Sequence, residues 1–114
     1  MKLILMQNSE RSSSSVAHDI CRSYRFPFYS ISHEGSVIAV AGSFCCKVAV
    51  DIMPFDISSH SLVRDWCHKE ASIKCGKNDA TQTEEFMWQA SCSCWFYGVI
   101  LHECSCAIQY EILF

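Results

Sequence analysis

The sequence predicts an α+β domain in which an antiparallel sheet carries a packed helix, and three observations predict it. From Phe28 onward the residues alternate with period two and then enter the apolar run Val37-Ile38-Ala39-Val40-Ala41, which is strand patterning. Between residues 62 and 75 apolar positions return at helical spacing. The stretch from Phe86 to Leu113 is again β-prone.

Each element follows in order. Residues 1–15 read as a flexible lead-in that ends in the serine run Ser12 to Ser15, and residues 16–114 read as one domain. Val16, Ile20 and Tyr24 fall at i, i+4, i+8 and predict a short helix that Pro27 prevents from continuing. Glu34-Gly35-Ser36 is turn chemistry between two strand runs and predicts a hairpin. Cys46 to Ile52 predicts a third strand, with Val48, Val50 and Ile52 on one face and Lys47, Ala49 and Asp51 on the other, ended by Pro54. Ser58 to Ser61 supplies helix caps, Leu62 to Cys75 reads as a helix, and Gly76 suits its C-terminal cap. Leu62, Trp66 and Ile73 are the expected core-facing residues of that helix. A terminal hairpin is expected around Gly98.

A chain of 114 residues fits one domain with a modest core. Half of the residues are apolar and 18% are charged, which is not the composition of a disordered protein. The net charge of −3 gives no broad electrostatic reason to expect nucleic acid as a partner. Met1 to Met6 is too short an apolar run for a signal-peptide core, and no stretch approaches the length needed to span a bilayer, so neither secretion nor a membrane is expected. Nine cysteines, an odd number, then imply a cytoplasmic chain with mostly reduced thiols.

Chemistry concentrates in a few residues. Trp66, Glu70 and Lys74 recur at spacing four and share a helix face. Asp51 stands near the carboxyl end of a strand. Magnesium takes one or two protein carboxylates together with substrate phosphates, so Asp51 and Glu70 are candidate metal ligands. Lys69 and Lys74 could neutralise phosphate charge, and Ser32 and His33 could hydrogen-bond a further phosphate. The bland reading of the same residues is a surface i,i+4 pair, a turn-organising aspartate and an exposed loop histidine.

Three segments also carry a resemblance. Ser32-His33-Glu34-Gly35, Val48-Ala49-Val50-Asp51-Ile52 and Trp66-x-x-Lys69-Glu70-x-x-x-Lys74 occur in the order seen in 4′-phosphopantetheinyl transferases. The sequence resembles the larger, pseudo-dimeric class, and the aminoadipate-semialdehyde dehydrogenase phosphopantetheinyl transferases within it, over residues 26–76. The resemblance implies a partial, shortened version of that fold. It implies magnesium-dependent transfer of phosphopantetheine from coenzyme A to a serine of an acyl or peptidyl carrier protein. Asp51 and Glu70 would hold magnesium, and Ser32, His33, Lys69 and Lys74 would bind coenzyme A. Glu70 and Lys74 would be catalytic. The family consists of two related α+β halves; most of the first has no counterpart here, and the connection from Asp51 to Trp66 is much shorter.

Two other functions compete. Cys92-Ser93-Cys94 and Cys104-Ser105-Cys106 place paired thiols on one face of a strand and could surround zinc, although C-x₂₋₄-C is the commoner zinc spacing. A non-catalytic module that binds a carrier domain or another chain is the third reading.

Overall fold

A computed structural model describes residues 1–7, 12–54, 60–75, 82–89, 95–103 and 107–113. The chain is α+β; the described residues form two helices and seven strands in two sheets. The first sheet contains β1 (Lys2–Gln7), β2 (Phe28–Glu34), β3 (Val37–Ser43) and β7 (Gln109–Leu113), ordered β2-β3-β1-β7. The second contains β4 (Val48–Pro54), β5 (Gln82–Gln89) and β6 (Trp95–His102), ordered β4-β6-β5. All pairings are antiparallel except β1 with β7.

Strand alternation divides the apolar side chains among three cores. Leu3 and Leu5 of β1 and Val37, Ala39 and Ala41 of β3 enter the same cluster as Val48, Val50, Ile52, Phe86, Trp88, Phe96 and Ile100, so the two sheets share one core. The intervening residues of each sheet meet a helix. Ile4, Ile38 and Val40 pack against α1 (Ser13–Tyr24) through Val16, Ala17 and Cys21. Ala49, Tyr97, Val99 and Leu101 pack against α2 (His60–Cys75) through Val63, Cys67 and Ala71. No helix among the described residues is long and apolar enough to cross a membrane.

Several sequence expectations hold. The β2–β3 hairpin turns at Gly35, whose φ of 58° is the left-handed conformation that glycine adopts without strain. Helix α1 contains the expected Val16–Tyr24 segment but begins at Ser13, so the serine run expected in the lead-in forms its cap and first turn, with the Ser12 hydroxyl accepting the Ser15 N–H at 3.1 Å. On β4, Val48, Val50 and Ile52 face one core while Ala49 and Asp51 face α2.

Other expectations need correction. Lys2–Gln7 is no lead-in but a strand paired on both edges, with Leu3 and Ile4 fully buried. Burying each such side chain stabilises by about 2 kcal/mol, which outweighs the short length of the run. Gly98 lies within β6, not at a turn, because β5 and β6 pair along their whole length and β7 joins the other sheet. A Cβ at Gly98 would lie 2.0 Å from Cζ of Phe86, so glycine is needed there for close approach. Leu62, Trp66 and Ile73 share one helix stripe as expected, but it faces outward, with exposures of 74, 50 and 66%. The smaller stripe of Val63, Cys67 and Ala71 is the buried one, because small side chains let α2 seat closely over β4 and β6.

Cys46 is disulfide-bonded, while Cys21 and Cys67 are free thiols. The expected caps at Ser58, Ser59 and Gly76, and the cysteines at 92, 94, 104 and 106 proposed for zinc, lie outside the described residues.

Candidate functional site at the seam between the sheets

Strands β2 and β4 border the two sheets and run side by side without a backbone ladder. Side chains join them. The Val50 N–H donates to the Ser30 hydroxyl at 3.0 Å, and the Ile52 N–H donates to the Ser32 hydroxyl at 3.1 Å. Two edge donors of β4 are thereby satisfied by alternate residues of β2. Lysine 74 closes the seam from above: the Lys74 ammonium donates to the carbonyls of Ile31 on β2 at 3.0 Å and Val50 on β4 at 2.9 Å.

Asp51 lies at the centre of this arrangement and is 8% exposed. Its Oδ1 accepts from the Ser32 hydroxyl at 3.2 Å and stands 3.6 Å from Lys74 Nζ. Burial raises the Asp51 pKa above its ordinary value; the Lys74 charge and hydrogen bonds from Cys67 and Ser32 pull the other way without cancelling it. Cys67, one helical turn from Ala71 and two from Lys74, is fully buried beside it and donates weakly to the Tyr97 carbonyl at 3.9 Å. Burial, followed by the charge of Asp51, pushes the Cys67 thiol well above its ordinary range, so it stays a protonated thiol and no nucleophile.

The structure therefore brings together Ser32, Asp51 and Lys74, one from each of the three sequence segments. Glu70 lies four residues before Lys74 and three after Cys67, at the border of the same helix face, and is partly exposed. Two candidates lie elsewhere. His33 is exposed and, by strand alternation, projects from the face of β2 opposite Ser32. Lys69 projects from the outer face of α2, with Nζ 5.6 Å from the centre of the Trp66 ring. No group of three or more histidine, cysteine, aspartate or glutamate side chains able to hold a metal occurs among the described residues.

Sequence reasoning missed Cys67 and Glu34. Cys67 has the i, i+7 relation to Lys74 that marks a shared helix face, and Glu34 follows Ser32 at the two-residue spacing of one strand face. The charge of Glu34 contributes to the raised Cys67 pKa.

A second polar cluster ties the first half of α2 to β5. Arg64 and His68 both reach Glu85 Oε1, at 3.1 and 3.2 Å, and His68 Nε2 lies 3.1 Å from the Tyr97 hydroxyl. His68 is thus a partly buried bridging residue. On the neighbouring strand, His102 is fully buried with both ring nitrogens lacking a hydrogen-bond partner; Glu84 Oε1 is 3.9 Å from Nε2.

No family model, curated protein or solved structure matches this chain. The functional reading therefore rests on the seam and on the resemblance of the three segments that meet there.

Proposed function

We propose that the seam is a phosphopantetheinyl-transfer site that takes coenzyme A as donor and a serine of a carrier protein as acceptor. The observation that carries the reading is the meeting of Ser32, Asp51 and Lys74 within 3.2 and 3.6 Å at one carboxylate, although they stand 19 and 23 residues from Asp51 in sequence. Each of the three resembling segments supplies one of these residues.

The donor set fits magnesium in kind, because Asp51 and Glu70 offer hard carboxylate oxygens and magnesium completes its shell with phosphate and water. A bound magnesium ion, held by Asp51 and Glu70, would neutralise charge on the coenzyme A pyrophosphate. Ser32 positions Asp51, since its hydroxyl is engaged with that carboxylate and with the Ile52 N–H. Lys74 holds positive charge at the seam and offers it to a phosphate oxygen. Glu70 accepts the proton of the incoming serine hydroxyl. The serine oxygen then forms its bond to the phosphorus that bears pantetheine, and the bond from that phosphorus to the adenosine bisphosphate leaving group breaks. His33 and Lys69 take no part in this reading, because neither reaches the cluster.

One observation favours a second reading, a purely structural lock. The ammonium of Lys74 has three donors, and two carbonyls and Asp51 account for all of them. The two readings separate on Glu70, which the lock does not use. Incubation with apo carrier protein, magnesium and a fluorescent coenzyme A analogue is expected to label the carrier, and Glu70→Gln is expected to abolish labelling without changing thermal stability. Absence of labelling by the folded wild-type chain would leave the lock as the correct reading.

A further inference from the structure

Helix α2 presents more apolar bulk to the solvent than to its own sheet. Its buried stripe is valine, cysteine and alanine, whereas Leu62, Trp66 and Ile73 stand exposed with Lys69 among them. The steps along this outer stripe are four, three and four residues, the a/d spacing of a coiled-coil seam. That spacing reads the same in both directions.

From this we infer that the outer face of α2 is a docking surface for a second copy of the chain, with the two helices antiparallel about a twofold axis. Reversal sets Leu62 of one copy against Ile73 of the other, at both ends of the interface. At the centre it sets Lys69 of each copy against Trp66 of the other. Within one chain Lys69 already lies over the Trp66 ring at 5.6 Å, so pairing places each ammonium between two indoles and desolvates a cation–π contact. A parallel pair would instead stack Lys69 on Lys69 and set the two charges in opposition. The face is self-complementary only when antiparallel, which is the requirement of an isologous twofold interface. One helix pair buries less than about 1,200 Å², the range of weak, reversible association.

Sedimentation equilibrium of the full chain between about 5 and 200 μM tests this, because a weak dimer forms by mass action across that range. A reversible monomer–dimer equilibrium is expected. Leu62→Glu and Ile73→Lys are each expected to weaken it by about tenfold or more. The double variant Leu62→Glu/Ile73→Lys is expected to recover much of the loss, since antiparallel pairing sets each new glutamate against a new lysine. Both positions are exposed, so the variants retain the fold, and circular dichroism checks this. A monomer throughout the range would overturn the inference. So would a dimer that the single variants leave unchanged, or a double variant that merely adds the two losses. Capture of an unrelated carrier domain by this face with no self-association would also overturn it.

Discussion

Helix α2 reaches the second sheet and its border through two acid–base pairs, Lys74 with Asp51 and Arg64 with Glu85, and they differ in burial. The side chain of Asp51 is 12% exposed and that of Glu85 is 39% exposed. Each acid has a cation and further hydrogen-bonding side chains beside it. Yet the Asp51 pKa is raised while that of Glu85 is lowered. At Asp51, burial outweighs the Lys74 charge. At Glu85 burial also acts upward, but Arg64 and His68 together outweigh it. An adjacent cation therefore does not by itself make a carboxylate strongly acidic; how much water the site has lost decides the sign. The buried pair is also the one that joins β2 to β4.

Breaking the two pairs in turn tests this contrast. Lys74→Met leaves Asp51 buried without its cation and the Ile31 and Val50 carbonyls without their donor. It is expected to destabilise by about 3 kcal/mol in urea unfolding, and Asp51→Asn in the same chain is expected to recover part of the loss. Ser32→Ala removes the donor to Asp51 and the acceptor for the Ile52 N–H, with an expected loss of about 1–2 kcal/mol by the same measurement. His102 extends the comparison to a buried polar group with no hydrogen-bond partner among the described residues. His102→Leu is expected to stabilise by about 1 kcal/mol, visible as a higher unfolding midpoint, because an unsatisfied polar ring is exchanged for an apolar one. Arg64→Ala breaks only the exposed pair. Its expected cost is smaller than that of Ser32→Ala and shrinks further in high salt.

The pH dependence is the finest test, because the two acids contribute with opposite sign. Asp51 binds its proton more tightly in the folded chain than in the unfolded one. Its contribution to stability is full below the ordinary value of 3.8 and is lost as pH rises through the raised folded value. Glu85 binds its proton less tightly when folded. Its contribution is present above the ordinary value of 4.5 and is lost as pH falls through the lowered one. The stability difference between wild type and Asp51→Asn should therefore change with pH in the opposite direction to that between wild type and Glu85→Gln. Urea titrations at a series of pH values across this acid range read both slopes; slopes of the same sign would contradict the burial argument.

The local pattern around the site was legible in the sequence, and its assembly was less so. Alternation placed Asp51 opposite Val50 and Ile52, and i,i+4 spacing placed Glu70 beside Lys74. Neither pattern reveals that β2 and β4 would meet edge to edge through serine hydroxyls, because that contact depends on how two sheets pack. For the same reason, the two stripes of α2 were visible but not their orientation: the larger residues predict the core-facing side, whereas close seating over Tyr97 selects the smaller ones. Strand β1 escaped notice because a six-residue run lacks the length for a clear period, and only pairing on both edges makes it a strand. Gly98 read as a turn because glycine marks turns and close approaches alike, and only the Phe86 ring above it tells them apart.

The central claim is that the buried Asp51 seam binds a magnesium–coenzyme A complex, and calorimetric titration of coenzyme A into the full chain tests it most directly. The account predicts saturable binding that requires magnesium and is lost in Asp51→Asn while the variant remains folded. Binding that is indifferent to magnesium and to Asp51→Asn, or no binding by the folded wild-type chain, would contradict it.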